Sequence, residues 1–83
     1  MAFHVELSEL AAERLRKLDG SLRDRIVRKL EQAAKEPSRF LERLSAVESY
    51  KLRVGDHRII IDVDWKAETL YVLTLGHRSV VYR

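Results

Sequence analysis

The hydrophobic period of the chain switches from helical spacing to strict alternation near residue 50, and that switch limits the possible folds more than any other feature. Leu7, Leu10, Ala11, Leu15 and Leu18, then Leu22, Ile26, Leu30 and Ala33, recur as two stripes of helical spacing. From Tyr50 onward the pattern is period two: Tyr50, Leu52 and Val54 alternate with Lys51 and Arg53, and Ile59, Ile61 and Val63 alternate with Arg58, Ile60 and Asp62. Leu70–Leu75 is apolar on both parities, as expected of a central strand covered on both faces. Helices followed by a run of strands give an α+β fold, not an alternating α/β one.

The opening residues add one more strand, because Phe3, Val5 and Leu7 alternate with His4 and Glu6. Ser8 then caps a first helix, its hydroxyl accepting from the unpaired N–H groups of the first turn. Asp19-Gly20-Ser21 separates the helices, and Ser21 with Asp24 three residues on has the spacing of a capping box for the second. Arg23, Arg25, Arg28, Lys29 and Glu31 read as the solvated face of a helical hairpin. Glu36-Pro37 stops the second helix, since proline lacks a donor and disfavours helical geometry in the residue before it. Residues 37–49 form a connector that Phe40, Leu41, Leu44 and Val47 pin to the core. The expected order is β-α-α-β-β-β: a small twisted antiparallel sheet with an N-terminal helical hairpin packed on one face.

Gly55-Asp56 suits a hairpin with two loop residues, glycine supplying the positive φ such turns require. That turn sets a register in which Val54 faces His57, Arg53 faces Arg58, Leu52 faces Ile59 and Tyr50 faces Ile61. Apolar partners then meet on one side of the sheet. On the other side two guanidinium groups lie opposite each other beside Lys51, an arrangement that destabilises a ladder unless an anion sits there or the long side chains splay into water.

With 83 residues the chain holds one domain, residues 1–83, and has too little volume for a deep cofactor cavity. It contains no cysteine, which excludes disulfide scaffolds, thiol catalysis and zinc fingers and agrees with a cytoplasmic setting. No leader-like start or membrane-length apolar run occurs, so the protein is expected to be soluble and unprocessed, with no membrane partner. His4, His57 and His77 are isolated, no paired metal-ligand spacing or glycine-rich phosphate loop occurs, and Asp62 and Asp64 lead into an ordinary acidic turn. Neither a metal nor a cofactor is expected. Gly20, Gly55 and Gly76 read as turn or strand-end positions.

The formal charge is only +3, but its distribution is uneven. Residues 50–58 and 76–83 hold five cations, Lys51, Arg53, Arg58, Arg78 and Arg83, against one acid, Asp56, whereas the remainder has eleven cations against twelve acids. A fold that joins two distant basic segments makes a phosphate-binding surface, although chance clustering in a charged chain gives the same arithmetic.

The combined spacing of YKLRVGDHRIIIDV at residues 50–63 and LTLGHRSVVYR at 73–83 resembles the RelE toxin family of the RelE/ParE superfamily, and with the strand and helical hairpin before it the resemblance covers nearly the whole chain. It implies a toxin of a type II toxin–antitoxin pair that enters the ribosomal A site and cuts messenger RNA without a metal. The family's basic strand residues fall on Lys51, Arg53 and Arg58, its arginine after the last strand on Arg78, and its C-terminal tyrosine on Tyr82. Arg53 and Arg58 would hold the scissile phosphate and Lys51 would act as base where neighbouring cations ease loss of its proton. Arg78 would stabilise the leaving 5′-oxygen and Tyr82 would stack on a base. His77, next to Arg78, has the chemistry to assist proton transfer but equally suits a packing role. The implied partners are a cognate RelB-like antitoxin, the ribosome and messenger RNA. Two other functions remain open: a ParE-like gyrase inhibitor, which generally lacks this basic and tyrosine set, and a non-catalytic RNA-binding module.

Overall fold

The computed structural model describes residues 2–45 and 48–81. Strand β1 (His4–Leu7) leads into helices α1 (Glu9–Arg16) and α2 (Gly20–Lys35), followed by a single-turn helix α3 (Pro37–Phe40) and strands β2 (Glu42–Arg43), β3 (Tyr50–Val54), β4 (His57–Asp64) and β5 (Thr69–His77). The strands form one sheet in the order β1-β5-β4-β3-β2. Strands β3 to β5 pair antiparallel as expected, β2 adds an antiparallel edge strand from the connector, and β1 joins the far edge parallel to β5. A parallel neighbour needs a crossover, and the two helices between β1 and the rest of the sheet supply it.

The connector contributes more than its pattern revealed. Pro37 opens α3 at a position where a missing N–H costs nothing, and Leu41 is buried after it. Glu42 and Arg43 then pair with Lys51 and Tyr50 as a two-residue edge strand. Val47 lies outside the described residues.

Ser8 caps α1 as its chemistry demands: its Oγ accepts from the Ala11 N–H at 3.0 Å and donates to the Leu73 carbonyl at 2.7 Å. The cap thereby ties the helix start to β5. The start of α2 differs from the expected capping box. The helix begins at Gly20 behind Asp19, with no side-chain cap bond. Arg23 instead uses Nη1 to reach the Arg16 and Leu18 carbonyls, 3.3 and 3.4 Å away, so the interhelical turn is held from the side of α1's unpaired carbonyls.

One face of the sheet packs on the helices. Ile26, Ile59, Ile61, Leu70, Val72 and Leu75 are fully buried there, joined by Ala11, Leu30 and Ala33. Leu7 and Leu10 lie at the margin of the helical stripe and remain exposed. Strand β5 is covered on one face only, with Tyr71 and Leu73 on the other side 39% and 38% exposed, so the expectation of two-sided cover is corrected. A bulge explains part of the misleading pattern. Ile60 pairs with Thr74 while Ile61 pairs with Val72, leaving Leu73 as the extra residue and shifting the alternation along β5.

Candidate functional site

The Gly55-Asp56 turn fixes the geometry of the basic face. Gly55 has φ +58°, and it is the first loop position alone that takes a positive φ, the pattern of a type II′ hairpin. The β3–β4 register follows: Arg53 lies opposite Arg58, Lys51 opposite Ile60, and Val54 opposite His57. Leu52, Val54 and Ile59 enter the core, so alternation sends Lys51, Arg53 and Arg58 to the sheet face without helices.

Each of these side chains has a distinct setting. Arg53 is exposed. Arg58 is half-buried and turns back over its own hairpin, Nη1 donating to the Gly55 and His57 carbonyls at 3.3 and 3.2 Å. Its other neighbour on β5 is Gly76, which has no side chain to cover the guanidinium. Lys51 is paired with Glu42 across the β2–β3 ladder, Nζ to Oε2 at 3.7 Å. The local segment had no acid next to Lys51, but the fold supplies one from the connector, so its surroundings are not purely cationic. Arg78 follows β5, and its N–H donates to the Asp56 carbonyl at 2.8 Å, which brings the second basic segment to the hairpin turn carrying Arg58. Tyr82 lies outside the described residues.

Among the described residues, the ion pairs are His4–Glu6, Lys17–Glu13, Arg39–Glu36 and Lys51–Glu42, so no carboxylate neutralises Arg53, Arg58 or Arg78. The opposite end of β4 has the reverse sign. There Asp62 and Asp64, with Glu48, Ser49, Trp65 and Tyr71, line a hollow of about 610 Å³. Asp62 accepts from Ser49 Oγ at 2.6 Å, and Asp64 Oδ1 accepts from the Ala67 N–H at 2.9 Å, so both acids also serve the local turns. The two ends of β4 thus carry opposite charge, with Asp62 and Asp64 roughly 13 and 20 Å along the strand from Arg58 at 3.3 Å per residue.

Two features escaped the sequence reading. The β4–β5 register sets His57 opposite His77, their rings edge-to-face with centroids 5.6 Å apart. Burial, then His77, holds the His57 imidazole below its ordinary value; Asp56 opposes this and Arg25 adds to it. The Ser79 N–H donates to His77 Nδ1 at 3.1 Å, so the neutral ring carries its proton on Nε2. His57 is half-buried beside the turn, whereas His77 stays exposed there. The second feature is the placement of Arg25, Arg28 and Lys29. These side chains line a groove of about 300 Å³ with Gln32, Arg53, Val54 and Gly55. Their helical spacing was visible, but the strand edge they meet was not.

A family model described as ParE toxin of type II toxin-antitoxin system, parDE, matches residues 5–82. The chain belongs to that toxin family. Solved structures that share its fold include RelE proteins. One is the Mycobacterium tuberculosis RelBE2 toxin–antitoxin complex, at TM-score 0.84 and 22% identity, covering 94% of this toxin and 100% of that chain. Another is a mutant of the Escherichia coli toxin RelE in the free state, at TM-score 0.84 and 22% identity, covering 99% and 90%. A third is the archaeal RelE–RelB complex from Pyrococcus horikoshii, at TM-score 0.78 and 23% identity, covering 98% and 100%. No curated protein is similar to the toxin in sequence. Among its described residues, no helix is long and apolar enough to cross a membrane.

Proposed function

We propose that this type II toxin is an endoribonuclease that inhibits translation by cutting messenger RNA in the ribosomal A site, in the cytoplasm. The observation that carries the reading is the opposition of Arg53 and Arg58 on the helix-free face, unneutralised by any described carboxylate and adjacent to Lys51. Like charges held opposite each other cost stability, and a phosphodiester between them converts that cost into binding.

The reaction is an internal transesterification. The 2′-oxygen of the ribose forms a bond to the neighbouring phosphorus, the bond from phosphorus to the 5′-oxygen breaks, and a 2′,3′-cyclic phosphate remains. Arg53 and Arg58 hold the phosphate and stabilise charge building on its oxygens, where loss of one donor commonly costs on the order of 10² to 10³ in rate. Lys51 takes the 2′ proton as the neutral amine, having given up its own proton to solvent once substrate displaces its contact with Glu42. Arg78 stabilises the departing 5′-oxygen as a fixed cation, because guanidinium does not readily give up a proton, and that oxygen takes its proton from solvent water to leave a 5′-hydroxyl. Tyr82 stacks on a base of the message, worth about 1–3 kcal/mol. The open sheet does not clamp a flexible strand by itself, so the ribosome supplies the in-line positioning.

The RelE neighbours solved with RelB support a RelB-like antitoxin as partner of this toxin as well. An acidic or amphipathic antitoxin segment would mask the basic face.

Primer extension on translating complexes, beside the same transcript without ribosomes, tests the proposal. Codon-spaced cuts in the translating sample alone are expected; equal cutting of both overturns it. The family match to ParE favours one second reading, inhibition of gyrase. Loss of gyrase supercoiling at toxin concentrations that leave translated message intact would select that reading.

A further inference from the structure

We propose that the groove between α2 and the outer edge of β3 is a second RNA-binding surface, which grips the backbone of a structured RNA while the sheet face takes the strand to be cut. This inference rests on the reading of the toxin as an RNA-acting protein. Strand β2 pairs only with Tyr50 and Lys51, so among the described residues no strand covers the edge of β3 from Leu52 onward. Helix α2 lies along that edge instead, and Arg25, Arg28, Lys29 and Gln32 line the groove opposite Arg53, Val54 and Gly55. Arg25, Arg28 and Lys29 stand at positions i, i+3 and i+4, one helical face with about 5–6 Å between neighbouring Cβ atoms. Among the described residues none of these cations, nor Arg53, has a carboxylate within ion-pairing distance.

The chemistry of the lining selects the occupant. A protein partner needs an apolar or aromatic anchor at the centre of its contact, and Val54 is the one apolar side chain here, itself buried in the core. Single-stranded RNA binding without base readout ordinarily uses aromatic stacking platforms, and the groove has none. Cations with an amide, Gln32, match phosphate and ribose hydroxyl groups, which is how double-stranded RNA is held. Arg53 belongs to both surfaces, since it lines the groove and faces Arg58 across the ladder. The groove is therefore continuous with the candidate site and carries the toxin's positive field around the strand edge.

The test uses the full chain and a fluorescently labelled RNA hairpin of about 16 base pairs, the span typical of duplex-binding domains. Anisotropy is followed across a fourfold range of KCl for the wild type and for Arg25→Gln/Arg28→Gln. The wild type should lose about tenfold more affinity over that range than the double variant, since each lost phosphate contact lowers the salt slope by about 0.7–0.9. Arg25→Lys/Arg28→Lys, which retains charge, should restore most of the slope, and this separates lost contacts from lost folding. Equal slopes for wild type and the glutamine variant overturn the proposal. So does displacement of the hairpin by a Glu-rich peptide of matching charge at equal concentration, which would make the groove a protein-docking surface. Outcomes for the two proposals stay separate. A wild type that binds the hairpin through Arg25 and Arg28 yet leaves translated message intact removes the nuclease reading alone, whereas one that cuts message but binds the hairpin equally without those arginines removes this inference alone.

Discussion

Arg53 and Arg58 stand opposite each other across the β3–β4 ladder, and Arg58 relieves the opposition by folding its guanidinium back onto the Gly55 and His57 carbonyls. Removing that side chain therefore has two opposing effects on the fold: two hydrogen bonds on the surface are lost, and a like-charge contact is relieved. Each is worth about 1 kcal/mol or less, so Arg58→Ala should melt close to the wild type. Its effect on function should be large. Growth inhibition on induction is expected to disappear while circular dichroism shows an intact fold. A toxic, folded Arg58→Ala chain would remove Arg58 from the site.

The contact between Lys51 and Glu42 yields a prediction of opposite sense. Glu42 holds the ammonium from across the ladder and places one negative charge beside an otherwise cationic face. Glu42→Gln should tighten RNA binding, most visibly at low salt where exposed charges are least screened, and should leave message cleavage at least as fast. Lys51→Ala should slow cleavage with little change in melting temperature. Slower cleavage by the Glu42→Gln variant would mean that the carboxylate has a positive role that the proposed mechanism does not contain.

The register around these residues was legible because one turn determines it. Gly55-Asp56 admits a single tight hairpin, and every pairing from Tyr50–Ile61 to Val54–His57 follows from it. Other features depend on contacts that a local pattern does not encode. Glu42 lies eight residues before the basic strand in a connector with no clear period, so its approach to Lys51 arises only when β2 joins the sheet. Leu73 looked like part of a strand buried on both faces, but it is the bulge residue, and its carbonyl is taken by Ser8. The cations of α2 looked solvated because a helical stripe shows which residues share a face and not what stands opposite it.

Gly55 is the residue on which the turn depends, so Gly55→Ala should be costly. Its φ of +58° is a region that L side chains rarely adopt, and an added Cβ would lie 3.4 Å from a guanidinium nitrogen of Arg25. Strain of about 1 kcal/mol or more is expected, from backbone conformation chiefly, since Arg25 is exposed and can move. Urea unfolding should show a lower midpoint with an unchanged slope. An unchanged midpoint would mean that the turn relaxes into another type.

The His57 imidazole titrates below its ordinary 6.5 in the folded chain, chiefly because it is partly buried and faces His77. The unfolded chain therefore takes up this proton first as pH falls. The stability associated with neutral His57 is fully present above about pH 6.5 and is lost as the solution is acidified toward the lowered folded value. His57→Gln should flatten the wild-type decline in urea midpoint between about pH 6.5 and 5, a window above most carboxylate titrations. Parallel profiles for the two chains would show that His57 titrates alike in the folded and unfolded states.

The last prediction concerns the ends that cleavage leaves. Arg53, Arg58 and Arg78 are fixed cations, and a face that presents them repels a divalent metal while attracting the phosphate that would be cut. The 2′-oxygen is the nucleophile available without an activated water, and its attack leaves a 2′,3′-cyclic phosphate on one fragment and a 5′-hydroxyl on the other. The fragments should resist direct 3′-end ligation until the cyclic phosphate is removed, and the 5′-hydroxyl should accept label from a polynucleotide kinase without prior phosphatase. Substituting the 2′-hydroxyl at the scissile nucleotide by hydrogen should abolish cutting while leaving A-site entry unchanged. Cleavage of that deoxy substrate, or a 5′-phosphate on the downstream fragment, would show that water is the nucleophile and that Lys51 does not take its proton from the ribose.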